Sequence, residues 1–322
     1  VDTTRKIAIL GAGPTGLEAA LTAADAGYTF VLFDEADAVA GYIRSWAHVR
    51  LFSPWDLDVS PRMRRHLTAA GLDVPNGTEC PTGGELINRV LEPASRLPQI
   101  APHLRLGTRV ARVSRQGLLK SDEIGTPQRG VPPFRLLLVD SEGRERIETA
   151  DIVFDCTGSW GHPNPIGDGG IPAPGERSVA ERIHHDIPDI ERQADRWAGR
   201  RILLIGAGHS AETAARDLAA LAENHAGTRI FWALRSPEPS FEPIADDPLP
   251  ERSRLMGAAG RLARGASEHL TPIRGVVVES LAAGANDEVV VTLRDRDGRL
   301  EQLTVDLIVA MTGSVGDHTL YR

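Results

Sequence analysis

Three glycines, Gly11, Gly13 and Gly16, close a short apolar run, "KIAIL", and open an Ala-rich stretch. That spacing does chemistry with backbone rather than side chains. The first glycine makes a tight turn, the second lets a pyrophosphate approach the main chain, and the third lets helix and strand pack closely. The helix N-terminus beyond them offers free N–H groups and a positive dipole end to the phosphates, and Pro14 and Thr15 lie in its first turn. A second set follows in "LLIGAGHSAETAARDL": Gly206 and Gly208, then His209 and Ser210, with Ala211 in place of the third glycine. The residues that follow each turn differ in charge. Asp34 and Glu35 end the run "TFVLF", where a carboxylate can accept from ribose hydroxyls and would repel a 2′-phosphate. Arg235 and Ser236 end "RIFWAL", where a guanidinium can pair with such a phosphate. The first site therefore suits FAD or NAD and the second NADP(H); the economical pair is FAD first and NADP(H) second.

The elements that must position these residues repeat. Residues 134–158 and 289–313 align without a gap at an offset of 155, with 8 of 25 positions identical. Among the identities are Gly143/Gly298, Asp151/Asp306, Thr157/Thr312 and Gly158/Gly313. Each stretch reads as strand, tight turn, strand, then a buried parallel strand ending in Thr-Gly. The glycine turns repeat at an offset of 195, so the first half carries 40 extra residues, mostly within 41–98. The expected fold class is α/β: two fused Rossmann-like domains, three-layered, each with a parallel sheet and a β-hairpin or meander insert. The expected domains are 1–158 for FAD, 159–313 for NADP(H), and 314–322 as the start of a return to the first.

Composition narrows the partners. Hydrophobic residues make up 41% and charged residues 25%, with a net charge of −8 and no basic block suited to nucleic acid. Only Cys80 and Cys156 are present and no CxxC exists, which excludes a disulfide reductase with its own redox pair and a four-Cys zinc site. No metal is expected. No apolar run approaches the roughly 20 residues of a membrane span, and two reduced thiols suit a cytoplasmic protein. A small-molecule substrate and a homodimer are the expected partners. "SPRMRRHLTAAGL" reads as a helix capped by Ser60 with Pro61 in its first turn and a solvent-facing Arg cluster. The Pro-rich stretch from Arg235 to Arg252 reads as a surface loop.

On "GAGPTG" with Asp34, "GAGHSA" and the two Thr-Gly strands, the chain resembles the two-dinucleotide-binding-domain flavoproteins, in particular the flavin-containing monooxygenase-like and thioredoxin-reductase-like branch. The resemblance covers essentially the whole chain. It implies that Gly41, Arg44, Trp46, Ser53 and Pro54 touch FAD, that the Val110 backbone meets adenine, that Thr157, Gly158 and Gly313 lie at the cofactor ends of their strands, and that "CTGSWGHPNP" crosses into the second domain. Core packing is an equal reading for Trp46 and Trp55. The FxGxxxHxxx(F/Y) linker of the monooxygenases is not matched, since His184 lies nine residues after Gly175; His184 and His185 read equally as interdomain residues. In such folds a returning Gly-Asp binds the ribityl phosphate. Gly316-Asp317 comes too early for that, so the chain is expected to continue past Arg322.

The expected function is an FAD-dependent oxidoreductase reduced by NADPH, monooxygenase-like, acting on a nitrogen, sulfur or carbonyl centre of a small molecule. A flavin reductase serving a partner protein or quinone, and a non-catalytic flavin- or nucleotide-binding module, are the alternatives. No residue stands out as a catalytic acid or base.

Overall fold

The computed structural model describes residues 3–242 and 244–321. The chain divides into two compact units: one runs to His162 and resumes at Gly316, and the other is Pro163–Val315.

In the first unit, β1 (Lys6–Leu10) pairs in parallel with β2 (Thr29–Phe33) and β7 (Ile152–Asp155), and β3 (Leu104–Arg105) joins beyond β2. After Lys6 the strand is apolar, Ile7–Leu10, because both faces of β1 are covered. Ile7 and Ile9 pack with Leu17, Ala20 and Leu21 of helix α1 (Pro14–Asp25). Ala8 and Leu10 point the other way, against Leu136 and Leu138. Those leucines belong to an antiparallel sheet of β4 (Thr108–Arg115), β5 (Phe134–Asp140) and β6 (Glu145–Ala150). Helix, parallel sheet and antiparallel sheet are the three layers of this unit.

The second unit repeats the plan. Its parallel sheet runs β11 (Leu270–Arg274), β10 (Arg229–Leu234), β9 (Arg201–Ile205), β15 (Leu307–Ala310), β8 (Ile183–His184). Its antiparallel sheet comprises β12 (Val276–Ala283), β13 (Val289–Asp295) and β14 (Leu300–Val305).

The duplication extends to single hydrogen bonds. Asp151 accepts the Lys6 N–H at 2.8 Å, and Asp306 accepts the Arg201 N–H at 2.7 Å. In each hairpin an aspartate, Asp140 or Asp295, accepts two N–H groups of its own turn, and Gly143 or Gly298 takes a positive φ. Both β4 and β12 shift register against their partners, at Val110/Arg112 and Val278/Ser280. Asp140/Asp295, Gly143/Gly298 and Asp151/Asp306, all identical pairs, are thus residues that fix the ends of strands.

One local expectation needs correction, and two gain detail. The final strand of each half was expected to be buried; β15 is, but Phe154 and Asp155 of β7 are exposed. β15 lies between β9 and β8, whereas β7 borders the described sheet on one side only. The helix Pro61–Ala69 is capped by Ser60 through Met63 N–H as expected. Its basic residues lie at the surface and pair there: Arg62 and Arg65, with His66, hold Asp25, and Arg62 also reaches Glu18. The Pro-rich stretch is anchored through Phe241, which is buried with its ring 5.3 Å from that of Trp232.

Asp306 ties the start of β9 to the start of β15, and hydrogen bonds from the Arg201 side chain hold its pKa below the ordinary carboxylate value despite burial. Asp306→Asn is expected to lower the unfolding free energy at neutral pH by roughly 1–3 kcal/mol. Because the folded pKa is depressed, this contribution is present above the unfolded-state pKa of about 3.9 and fades as pH falls below it. Urea melts at pH 7 and pH 3 check this, with the gap between wild type and variant closing at the lower pH.

Candidate functional site

A cavity of about 500 Å³ opens in the first unit at the carboxyl ends of β1, β2 and β7, where open α/β sheets bind ligands. Its floor is the glycine turn. Gly11 has φ +95°, and a Cβ there would lie 2.5 Å from the Cys156 carbonyl oxygen. Gly206 of the second unit has φ +123° and would place a Cβ 2.2 Å from the Met311 carbonyl. A Cβ on Gly16 would meet the Gly11 carbonyl at 1.8 Å, while the corresponding Ala211 is fully buried and accommodated. These positions are glycine, or small, for reasons internal to the fold.

Gly13 and Gly208 are different. Each has a negative φ, and a Cβ on either would meet no heavy atom within 4 Å. Each precedes a helix whose N-terminus has no side-chain cap: α1 after Gly13, and His209–Asn224 after Gly208. Uncapped N–H groups beside an open backbone form a cradle for a phosphate-bearing ligand. The residues present fit a dinucleotide pyrophosphate, since the backbone at Gly13 is open to approach and the helix N–H groups beyond it are uncapped.

Two acids stand at the end of β2. Asp34 is turned inward: its Oδ2 accepts Ala12 N–H at 2.6 Å and its Oδ1 accepts Ala36 N–H at 2.9 Å. Burial, with the Glu35 charge beside it, raises its pKa in spite of those two donors. Asp34 therefore braces the glycine turn. Glu35 is exposed and accepts the Tyr42 hydroxyl at 2.8 Å.

Several expected residues meet around this cavity: Gly11, Gly13, Pro14, Thr15, Asp34, Glu35, Gly41, Trp46, Val110, Thr157 and Gly158 all line it. Gly16, which serves the packing of helix on turn, does not, and neither do three residues of the 41–98 segment. Arg44 pairs with Glu92 at 2.7 Å and donates to the Val39 carbonyl; Ser53 donates to Asp58; and Pro54 caps the short helix Trp55–Asp58. These contacts hold the 41–98 segment together. Trp55 is buried in the core with Arg89 over its ring, so of the two tryptophans only Trp46 reaches the cavity.

Among the lining residues that the sequence reading did not single out are Tyr42, Arg109, Trp160, His162 and Asp317. Trp160 stacks obliquely on Trp46, with centroids 5.8 Å apart. A signal for it existed, since the alignment of the halves sets Trp160 opposite Val315. Asp317 lies 3.9 Å from His162. Gly316 and Asp317, read as too early for a returning motif, already belong to the first unit, where Leu320 enters the core and the Tyr321 hydroxyl donates to Asp155 at 2.7 Å.

In the second unit, Arg235 and Ser236 are exposed at the end of β10. The His209 ring contacts Glu212, a nearly fully buried carboxylate, at 3.0 Å. Thr312 donates to the Asn164 carbonyl at 2.6 Å, and the Gly313 carbonyl accepts Asn164 N–H. His184 lies edge-on to Trp197, and burial, reinforced by the Arg196 charge, pulls its pKa down to about 4. It is a neutral imidazole at physiological pH. Among the described residues, no group of three metal-ligating side chains comes together, and no helix is long and apolar enough to cross a membrane.

Residues 9–66 match the family model of an NAD(P)-binding Rossmann-like domain. No curated protein is similar in sequence. Solved structures resemble nearly the whole chain. Bacillithiol disulfide reductase from Bacillus cereus is 19% identical, with a TM-score of 0.70 over 98% of this chain and 80% of its own. The FAD-bound cadaverine monooxygenase of desferrioxamine biosynthesis from Erwinia amylovora is 17% identical, with a TM-score of 0.68 over 100% and 79%. An ornithine N-hydroxylase from Kutzneria, solved with reduced FAD, NADP+ and L-ornithine, is 18% identical, with a TM-score of 0.66 over 99% and 83%. The chain has the two-domain flavoprotein fold. That fold accounts for the paired glycine turns and for a chain that leaves its first unit and returns to it.

Gly13→Ala is expected to melt like wild type yet to weaken dinucleotide binding by at least tenfold, because its Cβ meets only the space a ligand would use. Gly16→Ala is expected to fail at folding instead. Thermal melts alongside flavin-fluorescence titration separate the two effects.

Proposed function

We propose that the protein is an FAD-dependent oxidoreductase reduced by NADPH, with FAD in the cavity of the first unit and the nicotinamide dinucleotide at the glycine turn of the second. The observation that carries this reading is the contrast between two otherwise duplicate turns. One ends in Asp34 and Glu35, the other in Arg235 and Ser236. A carboxylate favours an adenosine ribose with free hydroxyls, and an exposed guanidinium favours a 2′-phosphate.

A flavin bound in the first unit supplies hydride acceptance from a reduced nicotinamide and, once reduced, reaction with dioxygen or another acceptor. The chain's own residues bind and shield. Gly13 and the α1 N-terminus would hold the pyrophosphate, Glu35 the ribose, and the Val110 main chain the adenine. The Trp46–Trp160 pair forms an apolar wall that keeps water from that side of the cavity.

Within this class we favour a monooxygenase-like reaction at a nitrogen, sulfur or carbonyl centre over thiol–disulfide chemistry. Cys156 lines the cavity, but burial, aided by the neighbouring Asp155 charge, raises its pKa. A thiol held protonated is a poor nucleophile, and no second cysteine forms a CxxC with it.

Anaerobic NADPH is expected to bleach the visible absorbance of the FAD-loaded protein, and admission of air to restore it; a protein whose flavin NADPH never bleaches would contradict the proposal. Arg235→Ala is expected to weaken NADPH by roughly tenfold or more and to leave NADH nearly unchanged. Equal loss for both would remove Arg235 from the second site. Cys156→Ser is expected to retain NADPH oxidation, and its loss would favour a thiol mechanism.

A further inference from the structure

Tyr42 follows Gly41 at the start of helix α2 (Gly41–Ser45) and is 38% exposed. Its hydroxyl donates to Glu35 Oε1 at 2.8 Å. The same end of the ring presses on Gly161, where a Cβ would lie 2.2 Å from the phenol oxygen. Tyr42 therefore reaches from the end of β2 to the segment after β7, and both segments line the cavity.

Three carboxylates line that cavity: Asp34, Glu35 and Asp317. Both Asp34 oxygens are taken by N–H groups of neighbouring backbone. Asp317 Oδ1 is held by Thr319 N–H at 2.8 Å and by the Thr319 hydroxyl. Asp34 and Asp317 each accept a backbone N–H, whereas Glu35 is held through the Tyr42 hydroxyl, on a ring that can swing away. A ribose diol offers the same kind of donor to the same lone pairs.

We propose that Tyr42 is a displaceable plug of the first cavity: its hydroxyl holds on Glu35 the place that a ribose hydroxyl of the incoming dinucleotide takes, and its ring leaves as the ligand seats. The inference rests on the reading of this cavity as a flavin dinucleotide site. Burial, together with Glu35, pushes the Tyr42 phenol up to about 12, so it remains a neutral donor at physiological pH. Gly161 completes the device, because any side chain there would evict the ring.

Rapid mixing of FAD with the flavin-free full chain, followed by quenching of flavin fluorescence, tests the plug. Tyr42→Phe keeps the ring but lets go of Glu35. It is expected to bind FAD roughly three- to tenfold faster, with equal or tighter affinity. Gly161→Ala, which pushes the ring aside, is expected to act in the same direction. Glu35→Gln is expected to weaken FAD about tenfold and to erase the preference for ADP over 2′,3′-dideoxy-ADP as a competitor. Unchanged association in Tyr42→Phe, or slower and weaker binding, would make Tyr42 a bystander or a ligand contact and overturn the plug. Wild-type protein that binds no FAD would instead overturn the flavin reading, and the plug with it.

Discussion

The contact on which both units depend is the crossing of a glycine turn over the end of the last parallel strand. At Gly11 the main chain lies so close to the Cys156 carbonyl that a Cβ would stand 2.5 Å from it, and Gly206 repeats the arrangement against Met311 at 2.2 Å. The positive φ at each turn lets the chain leave the sheet and enter a helix within a few residues. That helix arrives with its N–H groups uncapped. One steric constraint thus leaves an uncapped helix N-terminus at the mouth of each sheet, and the other layers serve to hold it. α1 covers one face of the first sheet, β4–β6 the other, and Asp34 stitches the turn to the end of β2.

The two acids after β2 divide their work. Asp34 is short and buried, and its carboxylate completes the hydrogen bonding of backbone that the tight turn leaves unpaired. Glu35 points outward and keeps a side-chain partner that a ligand hydroxyl can replace. From residue types alone the pair looks redundant. In the fold, Asp34 braces the glycine turn, while Glu35 holds Tyr42 at the cavity wall.

Much of this was legible in the sequence, for local reasons. The glycine turns, the Asp-x-x-Gly hairpins, the Thr-Gly strand ends and the Ser60-capped helix each depend on residues a few positions apart, and the internal duplication reads each of the first three twice. The rest of the stretch 41–98 was not legible. It folds as short helical pieces, including a π-turn at Ile87–Leu91, whose placement depends on distant partners: Arg44 on Glu92, Arg50 on the Cys80 carbonyl, and Trp46 on Trp160. No periodicity encodes such pairings, so Arg44, Ser53 and Pro54 were assigned by resemblance to a cavity they do not reach. Tyr42 escaped notice for the same reason, since Gly161, which makes room for it, lies more than a hundred residues away.

The central claim is that the two turns hold two different dinucleotides at once. Equilibrium titration of the purified full chain with FAD and NADPH, singly and together, tests it most directly. One FAD per chain is expected, with NADPH binding at a second site without displacing it. Mutual competition for a single site would contradict the account.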